Sequence, residues 1–105
     1  MDRLAVLRQF VAKSPAEPFA RYGLGMELVS RGELEEACQV FQDLVDKNPD
    51  YVATYLMYGN ALAATGQKER AAEMYRRGAE VSARRGDSHT ANENSAALAA
   101  LEGSD

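Results

Sequence analysis

The chain has 105 residues, of which 46% are hydrophobic and 27% charged, the proportions of a folded soluble domain large enough to bury a core without a metal or a disulfide. A net charge of −4 argues against nucleic acid as a partner, since binding to phosphates needs a cationic surface, and equally against an anionic membrane. A lone cysteine cannot form an internal disulfide, no apolar run approaches a membrane span, and charges interrupt the first eighteen residues, so the expected location is the cytoplasm.

Helix-forming residues dominate, and the segments separate at Pro and Gly. The first, "DRLAVLRQFVAK", places Leu4, Leu7, Phe10 and Val11 on one stripe that predicts a buried face. At "SPAE", Ser14 can cap, Pro15 suits a first helical turn and Glu17 completes a capping box, so a second helix is expected from there to about Arg31, stopped by Gly32. A third carries Leu34, Ala37, Val40, Phe41, Leu44 and Val45 on one face and ends at "KNPD". Asn48-Pro49 repeats the Ser14-Pro15 signal and opens a fourth helix to about Thr65, stopped by Gly66. The fifth spans "QKERAAEMYRRGAEVSARR" with Ala71, Tyr75 and Ala79 on its stripe. The sixth, capped by Asp87 or Ser88, runs to Leu101 with Ala91, Leu98 and Leu101 as its buried side. The expected class is all-α.

One pattern returns after 34 residues. Gly25, Leu28, Gly32, Glu35, Ala37 and Phe41 reappear as Gly59, Leu62, Gly66, Glu69, Ala71 and Tyr75. Leu7, Phe10, Val11 and Pro15 likewise anticipate Phe41, Leu44, Val45 and Pro49. A helix–turn–helix period of this length is the mark of a stacked array, and the chain resembles the tetratricopeptide repeat family on Leu24-Gly25, Leu28, Gly32, Ala37, Phe41 and Pro49, then Tyr55, Tyr58-Gly59, Leu62, Gly66, Ala71 and Tyr75. The resemblance implies a superhelical array of antiparallel helix pairs: a half repeat over 1–14, full repeats over 15–48 and 49–86, and a capping helix over 87–101. Small residues at crossings let helix axes approach closer than the usual spacing of about 8–10 Å. Gly25 is expected to face Ala37 and Gly59 to face Ala71, with Phe41 and Tyr75 filling the space between units. Arg21, Gly78 and Ala83 depart from the family pattern.

As a family, such arrays are protein–protein adaptors that hold a peptide or partner helix along the first helix of each unit. On those helices the spacing i, i+3, i+7, i+10 selects Phe19, Tyr22, Met26 and Val29, then Leu56, Asn60 and Ala63. These positions predict an apolar groove with Asn60 as its hydrogen-bonding group, suited to an amphipathic helix or apolar segment. Two further readings stay open: internal packing of the same side chains, and self-association in which another copy fills the groove or covers the end helices, as in a homodimer. No Lys or Arg falls among the groove positions, so the carboxylate-gripping mode of some relatives is not expected. Arg76, Arg77, Arg84 and Arg85 form a secondary basic face, either solvated or docked to an acidic partner.

Enzyme chemistry has little footing. His89 and Cys38 are the only residues of their kinds, read as a surface side chain and an inert core thiol, and no Cys/His cluster has metal-ligand spacing. "GLG" at Gly23–Gly25 follows no strand and precedes no Lys-Ser/Thr, so it is no phosphate loop. The expectation is a non-catalytic protein-binding module without cofactor or metal.

Overall fold

The alternation of helix formers with Pro and Gly becomes six helices in the computed structural model, which describes residues 2–103. They are α1 (Arg3–Lys13), α2 (Pro18–Ser30), α3 (Leu34–Lys47), α4 (Ala53–Ala64), α5 (Lys68–Arg84) and α6 (Ser88–Glu102), and no strand occurs among the described residues. Residues up to Tyr51 form one compact unit and those from Val52 onward a second.

In the first unit α2 packs against both α1 and α3. The buried apolar residues here are Leu24 and Leu28 of α2 and Ala37, Cys38, Phe41, Leu44 and Val45 of α3. Gly25 lies against the Phe41 ring: a methyl group added at Gly25 would overlap it. A helical side chain leans toward the N-terminus of its helix, which directs the Phe41 ring toward the turn that carries buried Ala37. The second unit repeats the arrangement, Gly59 lying under the ring of Tyr75. Here α5 contacts α4 and α6, and α4 also touches α6.

The turns that end in glycine are alike. Gly32, Gly66 and Gly86 have φ of 78°, 81° and 78°, the left-handed region that strains any residue with a Cβ. Each closes a helix by the same pair of bonds: Glu33 and Gly32 donate to the Leu28 and Val29 carbonyls, Gln67 and Gly66 to Leu62 and Ala63, and Asp87 and Gly86 to Ser82 and Ala83.

The proline turns differ from expectation. Ser14-Pro15 and Asn48-Pro49 do not start helices; α2 begins at Pro18 and α4 at Ala53. Ser14 and Asn48 end α1 and α3, their N–H groups donating to the Phe10 and Leu44 carbonyls. Each then accepts at its own carbonyl from the residue three on, Glu17 or Tyr51. The residue before a proline is pushed out of the helical region, so Pro18 holds Glu17 extended (φ −85°, ψ 112°) and becomes the first helical residue itself. The Glu17 side chain caps α2 by accepting from the Phe19 N–H at 3.3 Å. Arg21 is buried, and its Nη1 donates to the Pro15 carbonyl at 2.8 Å, which fastens this turn to α2.

Two buried faces also differ. The stripe of α1 predicts a buried Phe10, yet Phe10 is 56% exposed, because only one side of α1 has a helix against it and Phe10 stands at the edge of that contact. On α6, Ala91, Leu98 and Leu101 are only half-buried; the fully buried residue is Asn94. Its Nδ2 donates to the Thr90 carbonyl at 3.0 Å and its side chain occupies the space over Gly78.

Candidate functional site

On α2, packing consumes Leu24 and Leu28, which are 5% and 0% exposed, and leaves Tyr22, Met26 and Val29 half-buried on the neighbouring flank. Tyr22 is fixed by two rings, its centroid 6.4 Å from Phe41 and 5.8 Å from Tyr51. Burial, with Tyr51 beside it, pushes the Tyr22 hydroxyl above its ordinary pKa, so it stays protonated at any physiological pH. The spacing argument misses Tyr51, in the turn after α3. Glu17 stands 34 residues before it, so the repeat carries no aromatic signal there.

Phe19 belongs with different neighbours. It is 71% exposed and lines a cleft of about 370 Å³ between α1 and α2, shared with Leu7, Phe10, Ala20 and Gly23. The four α2 residues grouped by spacing therefore divide, Phe19 joining Phe10 of α1 and Tyr22 joining Phe41 and Tyr51. Spacing along one helix cannot show this, since the partner helix decides which flank becomes a wall.

On α4, Leu56 and Ala63 are half-buried and Asn60 is exposed. The Asn60 Oδ1 accepts from the Tyr75 hydroxyl at 2.6 Å, and its Nδ2 donates to no group among the described residues. Tyr75 itself is 4% exposed, and burial raises its hydroxyl pKa. The pairing has a counterpart in sequence: where the second unit has Asn60 and Tyr75, the first has Met26 and Phe41.

The four arginines of the secondary basic face are not one free patch. Arg76 reaches Glu102 at 3.5 Å, and the Arg77 guanidinium lies 5.6 Å from the centre of the Tyr55 ring. Arg84 and Arg85, at the end of α5, are exposed and make no ion pair among the described residues. His89 is exposed, 3.5 Å from Glu93, and Cys38 is buried. Among the described residues no group of His, Cys, Asp and Glu could hold a metal ion, and no helix is long and apolar enough to cross a membrane.

The family model described as tetratricopeptide repeat matches residues 4–52 and 22–88. A TPR repeat-containing protein of Pseudomonas aeruginosa is 28% identical over 96 residues, 91% of each chain. The solution structure of a tetratricopeptide repeat domain protein from Salinibacter ruber superposes with a TM-score of 0.82 at 31% identity, covering 87% of this chain and 92% of that one. A solution structure of a Bordetella parapertussis protein shares the fold, with a TM-score of 0.82 at 20% identity over 97% of this chain and 89% of that one.

Proposed function

Because the chain belongs to the tetratricopeptide repeat family, whose domains typically mediate protein interactions, we propose that it is a non-catalytic binding module that takes up protein segments on the first helix of each pair. The observation that supports this is the flank of α2. Tyr22, Met26 and Val29 are adjacent and half-exposed, beside a core that takes in Leu24 and Leu28 of the same helix completely. Aromatic and thioether side chains held in this way suit the apolar anchors of an amphipathic segment.

The flank of α4 selects differently. Leu56 and Ala63 offer a shallow apolar surface, and the Nδ2 of Asn60 offers a donor oriented by the Tyr75 hydroxyl. Such a donor suits a backbone carbonyl or a side-chain amide of the bound segment.

Selection from a displayed peptide library on the intact chain tests the proposal. Enriched peptides should carry two or three apolar anchors at helical spacing. Tyr22→Glu combined with Met26→Glu should weaken their binding at least tenfold, with the helical circular dichroism unchanged. Unaltered binding by this variant, or its unfolding, would refute the assignment of the α2 flank.

A further inference from the structure

The two large apolar side chains most exposed among the described residues, Phe10 and Phe19, line the same cleft, one from α1 and one from α2. Arg3 and Glu17 also border it. The α2 flank carrying Tyr22 and Met26 takes no part in its lining, so occupation of the cleft is independent of peptide binding on that flank.

The charges of α1 restrict what can cover this cleft. Arg3, Arg8 and Lys13 are its only charged residues, and no other of the six helices carries cations without acids. Arg8 turns toward α3, where it pairs with Glu36 at 2.6 Å. Arg3, Val6, Phe10 and Lys13 stand at i, i+3, i+7 and i+10, one stripe with an apolar middle and a cation at each end. Arg3 keeps 77% of its side chain exposed although it reaches Glu27 at 3.0 Å. Pairing α1 with α1 of another copy would set cation against cation. The occupant must be a helix with an apolar outer face and acidic character.

The chain itself carries one. Helix α6 has Glu93 and Glu102 and neither Lys nor Arg, and no other of the six helices carries acids without cations. Buried Asn94 fixes which side of α6 faces its own unit. On the opposite side Asn92, Ala96 and Ala99, at i, i+4 and i+7, are all exposed and small, a surface that large rings can approach closely. Glu93 and Glu102 flank it, each exposed and held only at 3.5 Å, by His89 and Arg76 of its own unit; they stand nine residues or about 14 Å apart, against ten residues or about 15 Å between Arg3 and Lys13. Laid antiparallel on α1, α6 brings Glu102 to the Arg3 end, Glu93 to the Lys13 end and its alanines to Phe10 and Phe19.

We infer that α6 of a second copy of this chain docks in the α1/α2 cleft. The contact is heterologous, cleft to helix, so a pair still offers one free cleft, on the copy that gave its helix, and one free helix, on the copy whose cleft is filled, and association continues with concentration.

Light scattering on the full chain, extended into the millimolar range, should show mass that keeps rising past the dimer. Phe10→Ser with Phe19→Ser disables the cleft, and Ala96→Arg with Ala99→Arg disables the helix; each variant alone should be monomeric with unchanged helical circular dichroism. Mixed in equal amounts, the two should form a dimer and stop there, because one intact cleft and one intact helix remain. Lys13→Glu, a surface change that leaves the fold alone, should weaken self-association of the otherwise unaltered chain about tenfold at low salt and less at high salt. A wild-type chain that stays monomeric, a dimer that never grows, association by either double variant alone, or a mixture that remains monomeric each overturns the inference. A monomeric chain that instead binds an acidic helical peptide in the cleft assigns the occupant to another protein and overturns it too.

Discussion

The two units share a frame and differ in what fills it. In both, a glycine on the first helix admits an aromatic ring from the second: Phe41 over Gly25, Tyr75 over Gly59. In both, a left-handed glycine turns the chain between the paired helices, Gly32 in one and Gly66 in the other. They part at coupled positions. Met26 accompanies Phe41, whereas Asn60 accompanies Tyr75 and accepts a hydrogen bond from its hydroxyl. Leu44 is buried in the first unit, whereas its counterpart Gly78 makes room for Asn94 and Tyr55 in the second. A substitution that looks like a lapse in the repeat is thus matched by one in whatever it touches.

The sharpest way to break the comparison is to restore the repeat where it lapses. Gly78→Leu makes the second unit read like the first, yet a Cβ at Gly78 would come within 2.6 Å of the Tyr55 Cβ and overlap the Asn94 amide. We expect a loss of about 3 kcal/mol or more in chemical denaturation, at the upper end of what overpacking costs. Asn94→Ala in the same chain should recover part of it by clearing the amide, while the contact with Tyr55 remains. A stable Gly78→Leu protein would mean that α6 does not sit on Gly78.

That position also marks where the sequence stops being legible. Gly25, Leu28, Gly32, Ala37 and Phe41 with their echoes declare the helix count and the glycine-ended turns, because a 34-residue spacing constrains all of them at once. Gly78 and Asn94 escape because they lie where the period lapses, and a polar residue on a predicted helix reads as solvent-facing until a neighbour covers it. The proline turns mislead for a local reason: Pro15 and Pro18 both suit a first helical turn, and only the extended Glu17 between them decides for Pro18. Among the candidate site residues, Tyr22, Met26 and Val29 are half-buried, whereas Phe19 is exposed and lines the α1/α2 cleft with Phe10.

A smaller change sharpens the same comparison. Tyr75→Phe gives the second unit the ring of the first and removes the donor to Asn60, which should cost about 1 kcal/mol. Adding Asn60→Met completes the exchange, and the double variant should be more stable than the two single losses add up to, since each side chain is then matched again. The converse, Phe41→Tyr, places a hydroxyl near Met26, which offers only a weak acceptor, so it should destabilise the first unit unless Met26→Asn accompanies it. Strictly additive effects in both units would show that the paired differences are unrelated.

The finest contrast is between two capping carboxylates. Glu17 caps α2 with a single bond to the Phe19 N–H, whereas Asp87 caps α6 by accepting from both the Thr90 N–H at 3.0 Å and the Thr90 hydroxyl at 2.7 Å. Those two bonds from Thr90, backbone first, hold the Asp87 carboxyl below its usual pKa. A carboxyl lowered by folding adds stability at pH values above its unfolded pKa and loses it as the pH falls through the folded one. The expected consequence is local: the Thr90 amide resonance should titrate below the ordinary aspartate value, with the start of α6 loosening beneath that point. Asp87→Asn keeps an acceptor and has no proton to lose, so its Thr90 amide should not titrate there, and the helix start should hold at acid pH. An inflection at or above the ordinary value in the wild-type chain would mean that the ionised carboxylate is not what caps α6.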